Sequence, residues 1–275
     1  MKKIIFIVLT AILALSLAAC GQKKEDAATK ETKTIKIGAS SVPHAAILEK
    51  AKPALKEKGI ELEITEFQDY VLPNKALADK EIDANFFQHI PYLNKQMAEH
   101  GYKFENAGGV HIEPIGVYSK KYKTLEELPE GATILMSSSV ADHGRMLSLL
   151  EKAGLIKLEA GVDKTKAEQK HIVENKKNLK FATDYEASFL PKAFENNEGD
   201  AVLINSNFAI DNGITPTKDA IALEESNSPY VNIIAVREGD KEKAEIKTLL
   251  EVLRSKEIQD FINEEYKGSV VPVKN

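Results

Sequence analysis

Cysteine is almost missing from this sequence of 275 residues: Cys20 is the only one. No disulfide can therefore form within the chain. Long apolar runs are missing too once residue 19 is passed, which excludes a later membrane-spanning helix. There is no excess of basic charge. Lys and Arg number 37 against 42 Asp and Glu, a net charge of −5, and a mildly acidic chain gives no reason to expect a nucleic-acid partner. No Gly-x-Ser-x-Gly elbow occurs, and no base oriented by an acid can be identified. No glycine-rich phosphate loop occurs either. These absences speak against an enzyme, and nothing calls for a cofactor. His44, His89, His111 and His143 are potential nitrogen ligands, but no pair has close metal-ligand spacing and no His-rich loop is present, so no metal site is expected.

What is present begins with an address. Lys2 and Lys3 precede an uncharged apolar run over residues 4–19, the pattern of a secretory signal and short for a membrane span. The run ends in Leu-Ala-Ala-Cys-Gly, which resembles a bacterial lipobox. Residues 1–19 are thus expected to be a signal peptide and Cys20 the lipid-bearing residue. Residues 21–34 (GQKKEDAATKETKT) carry no large apolar side chain and cannot pack a core. We expect a flexible tether from residue 20 to residue 34, and a protein held by lipid on the outer face of the cell membrane.

The remainder reads as α/β, with short strands alternating with amphipathic helices and mainly parallel pairing. Strands are expected at 34–38, 61–67 and 82–87, with helices at 44–55, 73–80 and 90–100. Pro91 suits a first helical turn and Gly101 a helix end. The order then restarts, with strands at 132–136, 178–183 and 201–205 and helices at 142–153 and 186–196. A further strand at 231–236 and two helices to about residue 266 follow. Two such units imply two lobes with a ligand cleft between them, since sheets of this kind bind ligands outside the carboxyl ends of their strands. The expected division is 35–114 with 225–275 in one lobe and 115–224 in the other.

Three groups of residues stand out as candidates to hold a ligand. Arg145 follows a strand, three serines (137–139) and a helix start, where free N–H groups favour an anion. It is expected to face a wet cleft and to offer a carboxylate two parallel N–H bonds. Phe86, Phe87, His89 and Tyr92 crowd one strand end and the next helix start, with Tyr70 in a neighbouring loop. Alternation along the strand sends Phe86 to the core and Phe87 to the cleft. Such a wall suits an apolar or thioether side chain. Asn205 ends a strand and Asn232 lies where the chain would return to the first lobe, and an amide can both donate to a carboxylate and accept from an ammonium.

These stretches carry a resemblance. LAAC, IKIG…PHAAILE, DYVLPNKAL, IDANFFQHIPYL, GLIKL, ENKKNLKF, AVLINSNFA and SPYVNIIAVR run in order over nearly the whole chain after the signal. Together they resemble the methionine-binding lipoproteins of the NlpA/MetQ type, the substrate-binding proteins of ABC importers. The resemblance implies a two-lobed periplasmic-binding-protein-like fold that closes on an amino acid, usually methionine. It implies a monomer that hands its ligand to an importer's permease and ATPase complex. By matching position, Arg145 would bind the carboxylate, Tyr70, Phe87, His89 and Tyr92 would surround the side chain, and Asn205 and Asn232 would contact the polar end. One departure stands close to the ligand: Asp142 occupies the place of an Asn. A carboxylate there is unfavourable beside a carboxylate site unless it meets the ligand ammonium or Arg145. A different amino acid or a short peptide therefore stays open, and a metal-binding lipoprotein of an importer, resting on the four histidines, is a separate alternative.

Overall fold

The computed structural model describes residues 32–273. The expected signal, Cys20 and the tether up to residue 31 lie outside the described residues. The chain enters β1 (Lys33–Ser40), turns through a short helical segment at Ser41–Ala45, and continues as α1 (Ala46–Glu57). This helix buries Ile47, Leu48, Ala51 and Leu55, one face of a 3.6-residue period. Next come β2 (Ile60–Phe67), α2 (Leu72–Ala78), β3 (Ala84–His89), α3 (Ile90–His100) and β4 (Phe104–Ile112). Gly101 ends α3 in the left-handed region at φ 69°, where glycine has no Cβ penalty.

After β4 the chain crosses into a second sheet. The chain there forms β5 (Gly116–Tyr118), β6 (Thr133–Ser137), then α4 (Val140–Lys152) and a separate two-stranded pair of β7 (Ile156–Leu158) and β8 (Ile172–Asn175). It continues through β9 (Lys180–Tyr185), α5 (Leu190–Glu195), β10 (Ala201–Ile204), α6 (Ser206–Asp211), α7 (Pro216–Asp219) and β11 (Ala222–Leu223). The chain then returns through β12 (Val231–Arg237), α8 (Ala244–Leu253), α9 (Lys256–Tyr266) and β13 (Val271–Pro272).

The first sheet has the order β13-β4-β12-β3-β1-β2 and the second β11-β5-β10-β6-β9. Helices cover both faces of each. One side of the first sheet buries Ile35, Ile37, Phe86 and Ile234 against α1, α8 and α9, and the other buries Leu77, Leu93 and Ile233. The second sheet is likewise packed on two sides, around Ile134, Leu147 and Leu203 on one and Leu135, Leu190 and Ile204 on the other. The result is the two-lobed periplasmic-binding-protein fold. No helix among the described residues is long and apolar enough to cross a membrane.

The expectation of mainly parallel pairing needs correction. Within the two large sheets, β1 is parallel to β2 and β3, and β6 is parallel to β9 and β10. The other five pairings are antiparallel. The reason is topological. β12 enters the first sheet on its way back from the second, not over a helical crossover, so it runs against both β3 and β4. β4 itself was not anticipated, because FENAGGVHI carries two glycines and three polar residues and lacks strict alternation. The chain passes between the sheets twice, at 113–115 and at 224–230.

Candidate functional site

The first crossing opens onto a pocket through Glu113, and the second passes behind that pocket, where Glu224 bonds Arg145. The pocket is lined by Tyr70, Phe87, Gln88, His89, Tyr92, Glu113, Asp142, Arg145, Asn205, Ser206, Asn207 and Asn232. All eight candidate ligand residues lie on its wall, brought from β3, α3, α4, β12, the turn between β10 and α6, and the loop before α2.

One end is aromatic. Phe86 is fully buried in the core of the first sheet, while its neighbour Phe87 faces the pocket, as alternation along β3 requires. The rings of Tyr70, Phe87 and Tyr92 stand 5.9–6.0 Å apart, centroid to centroid. The Tyr92 hydroxyl donates to the Tyr70 carbonyl at 2.8 Å, and the Tyr70 hydroxyl donates to Asn207 Oδ1 at 2.7 Å. Behind this wall the amides of Asn74, Asn85 and Gln88 bond one another, holding the end of β3 against α2.

The other end is charged. His89 Nδ1 accepts the backbone N–H of Tyr92 at 3.1 Å, so its proton sits on Nε2 and points at Asp142 Oδ1, 3.0 Å away. Burial alone would raise the Asp142 pKa. The His89 hydrogen bond, the Arg145 charge and the Asn205 amide outweigh it and hold the carboxyl at about 2. Asn205 Oδ1 is buried without a partner. Glu113 is buried between His44 and His111, whose Nε2 atoms lie 3.1 and 2.7 Å from its Oε1. Its Oε2 accepts the backbone N–H of Asn207 at 3.1 Å. Burial drives His44 down to about 4 and His111 down to about 3, and it pushes Glu113 up. The His111–Glu113 contact is therefore a hydrogen bond from a neutral imidazole, whereas His44 Nε2 approaches Glu113 but directs its one N–H elsewhere. His44 donates to Asn232 Oδ1 at 3.1 Å, which turns the amide N–H groups of Asn232 toward the pocket.

Arg145 differs from expectation. It is only 4 % exposed and does not face a wet cleft. Its Nε donates to Glu224 Oε2 at 3.0 Å, and its Nη2 bonds the same oxygen and the Glu113 carbonyl. The Tyr230 ring lies 4.6 Å from the guanidinium carbon. The fork edge formed by Nε and Nη2 is thus committed to the protein, which leaves Nη1, 3.7 Å from Asp142, facing the site. The three serines do not help either. Ser137 Oγ accepts the Ser139 N–H at 3.0 Å, and none of the three lines the pocket. Beside Arg145, Gly144 is required by a close approach: a Cβ there would sit 2.0 Å from the Lys164 carbonyl oxygen.

Sequence reasoning missed Glu113, Gln88, Ser206 and Asn207 on the wall, and Glu224 and Tyr230 behind Arg145. Glu113 left a faint signal, a single carboxylate inside the apolar run 110–118. His44, His111 and Glu113 also bring three ligand atoms within 4.8 Å of one another, which their spacing in the chain concealed. His111 Nε2 is already bonded to Glu113 and His44 Nε2 to Asn232, and both Nδ1 atoms lack a partner. Metal-ligating histidines ordinarily have that second nitrogen oriented by a carboxylate or carbonyl.

Comparison with known proteins agrees with this geometry. The NlpA lipoprotein family model matches residues 35–274. The chain belongs to the NlpA lipoprotein family. A relative from Bacillus subtilis (strain 168), named methionine-binding lipoprotein MetQ, is 51 % identical over 275 residues, covering 99 % of each chain. The D-methionine-binding lipoprotein MetQ of Escherichia coli (strain K12) is 38 % identical over 94 % of this chain and 93 % of its own. Among solved structures, a nutrient-binding protein from Burkholderia cenocepacia bound to methionine is 42 % identical. It superposes with a TM-score of 0.82, covering 87 % of this chain and 100 % of its own.

Proposed function

We propose that this NlpA lipoprotein captures one amino acid, methionine, and delivers it to an ABC importer. The observation that carries the reading is the two-ended pocket: an aromatic wall at one end and a buried charged network at the other, shared between the two sheets. An apolar thioether lies favourably against Tyr70, Phe87 and Tyr92. Arg145 Nη1 and Asn232 meet the carboxylate, while Asp142, Glu113 and Asn205 Oδ1 meet the ammonium. The methionine-binding names of its relatives support the same ligand. Residues 35–114 with 225–275 form one lobe and 115–224 the other, and the two close on the ligand about the crossings. The body acts as a monomer tethered through lipidated Cys20 on the outer face of the membrane, and the permease and ATPase of the importer are its partners.

Calorimetry across the twenty amino acids tests this. Methionine is expected to bind best and other apolar side chains more weakly. Acidic and basic ones are expected to fail, because the aromatic wall leaves a charge unpaired. A preference for glutamate or lysine, or tight zinc binding with no amino-acid response, overturns the reading.

A further inference from the structure

The charged end of the pocket is unbalanced. Its wall carries two carboxylates, Asp142 and Glu113, and one guanidinium, Arg145. A third carboxylate, Glu224, already holds the Nε–Nη2 edge of that guanidinium. The imidazoles do not restore the balance. His89 accepts at Nδ1 and so carries its proton only on Nε2, and burial keeps His44 and His111 neutral. Hydrogen-bonding capacity is skewed the same way. Asn205 Oδ1 is an acceptor with no donor, on a side chain that is 6 % exposed. A ligand carboxylate finds one guanidinium nitrogen and the amide of Asn232. A ligand ammonium finds Asp142, Glu113 and Asn205 Oδ1.

We propose that the pocket selects its ligand first by the protonated α-amine, with Asp142 and Glu113 as the counter-charges, and only second by the carboxylate. This deepens the amino-acid reading above and rests on it. The physical reason is the cost of closing the cleft. Without an ammonium, Asp142 and Glu113 rely on neutral donors from His89, His111 and the Asn207 N–H, and share a single cation, the guanidinium of Arg145, that is already engaged. Without a ligand carboxylate, Arg145 still has Glu224, Asp142 and the Glu113 carbonyl. The expected ligand class is therefore amines bearing a short thioether or apolar chain, with the carboxylate replaceable by a neutral group of its size.

Two analogues of nearly unchanged shape separate the ends. Methioninamide keeps the amine and neutralises the carboxylate. 2-Hydroxy-4-(methylthio)butanoate keeps the carboxylate and replaces the amine by a hydroxyl. Calorimetry on the full-length protein is run at about pH 6, below the ordinary α-amino range, so that both amines are charged. The amide is expected to lose about tenfold in affinity relative to methionine. The hydroxy acid is expected to lose roughly a hundredfold or more. Asp142→Asn, which preserves shape, is expected to weaken methionine by about tenfold or more and leave the hydroxy acid unchanged, so discrimination shrinks. The reverse ranking of the analogues, or an equal loss for both ligands in Asp142→Asn, overturns the proposal while leaving methionine binding intact. Absence of methionine binding to the unaltered protein overturns both this proposal and the reading beneath it.

Discussion

Replacing Arg145 by alanine tests the site where the structure departs most from a simple ligand clamp. The guanidinium is buried, bonded to Glu224 through two nitrogens, to the Glu113 carbonyl, and lies near Asp142. Burial alone would lower its pKa, and the Glu224 and Asp142 charges reverse that and raise it. Truncation leaves both carboxylates without their cation. Removing one partner of a buried pair costs about 3–5 kcal/mol. For a body of this size that corresponds to a fall in ligand-free melting temperature of roughly 10 °C. The loss is a property of the empty protein, so it appears before any ligand is added, and methionine affinity falls in addition. Differential scanning calorimetry of Arg145→Ala without ligand is the assay. The double variant Arg145→Ala with Glu224→Ala removes one stranded charge and is expected to recover at least about 1 kcal/mol. A ligand-free melting temperature unchanged in Arg145→Ala, or no recovery in the double variant, would refute the reasoning and return Arg145 to the role of a solvated clamp.

Other outcomes follow from the same geometry. His44 and His111 are held at about 4 and about 3 in the folded protein against 6.5. The unfolded chain takes up those protons first, so stability is complete above pH 6.5 and falls by several kcal/mol as pH drops through about 4. Asp142 is depressed to about 2 from 3.8, so its contribution, about 2 kcal/mol, is present above pH 3.8 and disappears only below it. Urea midpoints measured against pH check both, and a flat profile between pH 6.5 and 4 would contradict the buried neutral pair. Gly144→Ala forces a Cβ to within 2.0 Å of the Lys164 oxygen. It should cost about 2 kcal/mol or more in thermal melts. An unchanged melting temperature would show that the 164–166 turn yields freely. Cys20→Ala should free the protein from the membrane fraction without changing methionine affinity. A soluble variant that no longer binds would show that the tether is not independent of the body.

Much of the fold was legible because hydrophobic periodicity is a local property. The strands around Ile35 and Ile37, the helix bearing Ile47, Leu48 and Ala51, and the separation of Phe86 from Phe87 all follow from period and alternation. The aromatic wall was legible for the same reason, since Phe87, His89 and Tyr92 lie within six consecutive residues. The antiparallel course of β12 was not, because strand direction depends on how the chain returns from the second sheet.

The charged end belongs to the tertiary structure alone. Arg145 meets Glu224 across 79 residues, and Asn207 meets Glu113 across 94. His89 meets Asp142 across 53. Nothing local to any of these residues selects its partner. The amino-acid sequence by itself determined the alternation of strands and helices, the aromatic face and the positions of the ionisable groups. Which carboxylate commits the arginine, and which remain for a ligand, was decided only when the two chain crossings brought Glu113 and Glu224 to Arg145. The electrostatic energy of a buried charge depends on its neighbours within a few ångströms, and those neighbours are set by sheet order and not by spacing along the chain.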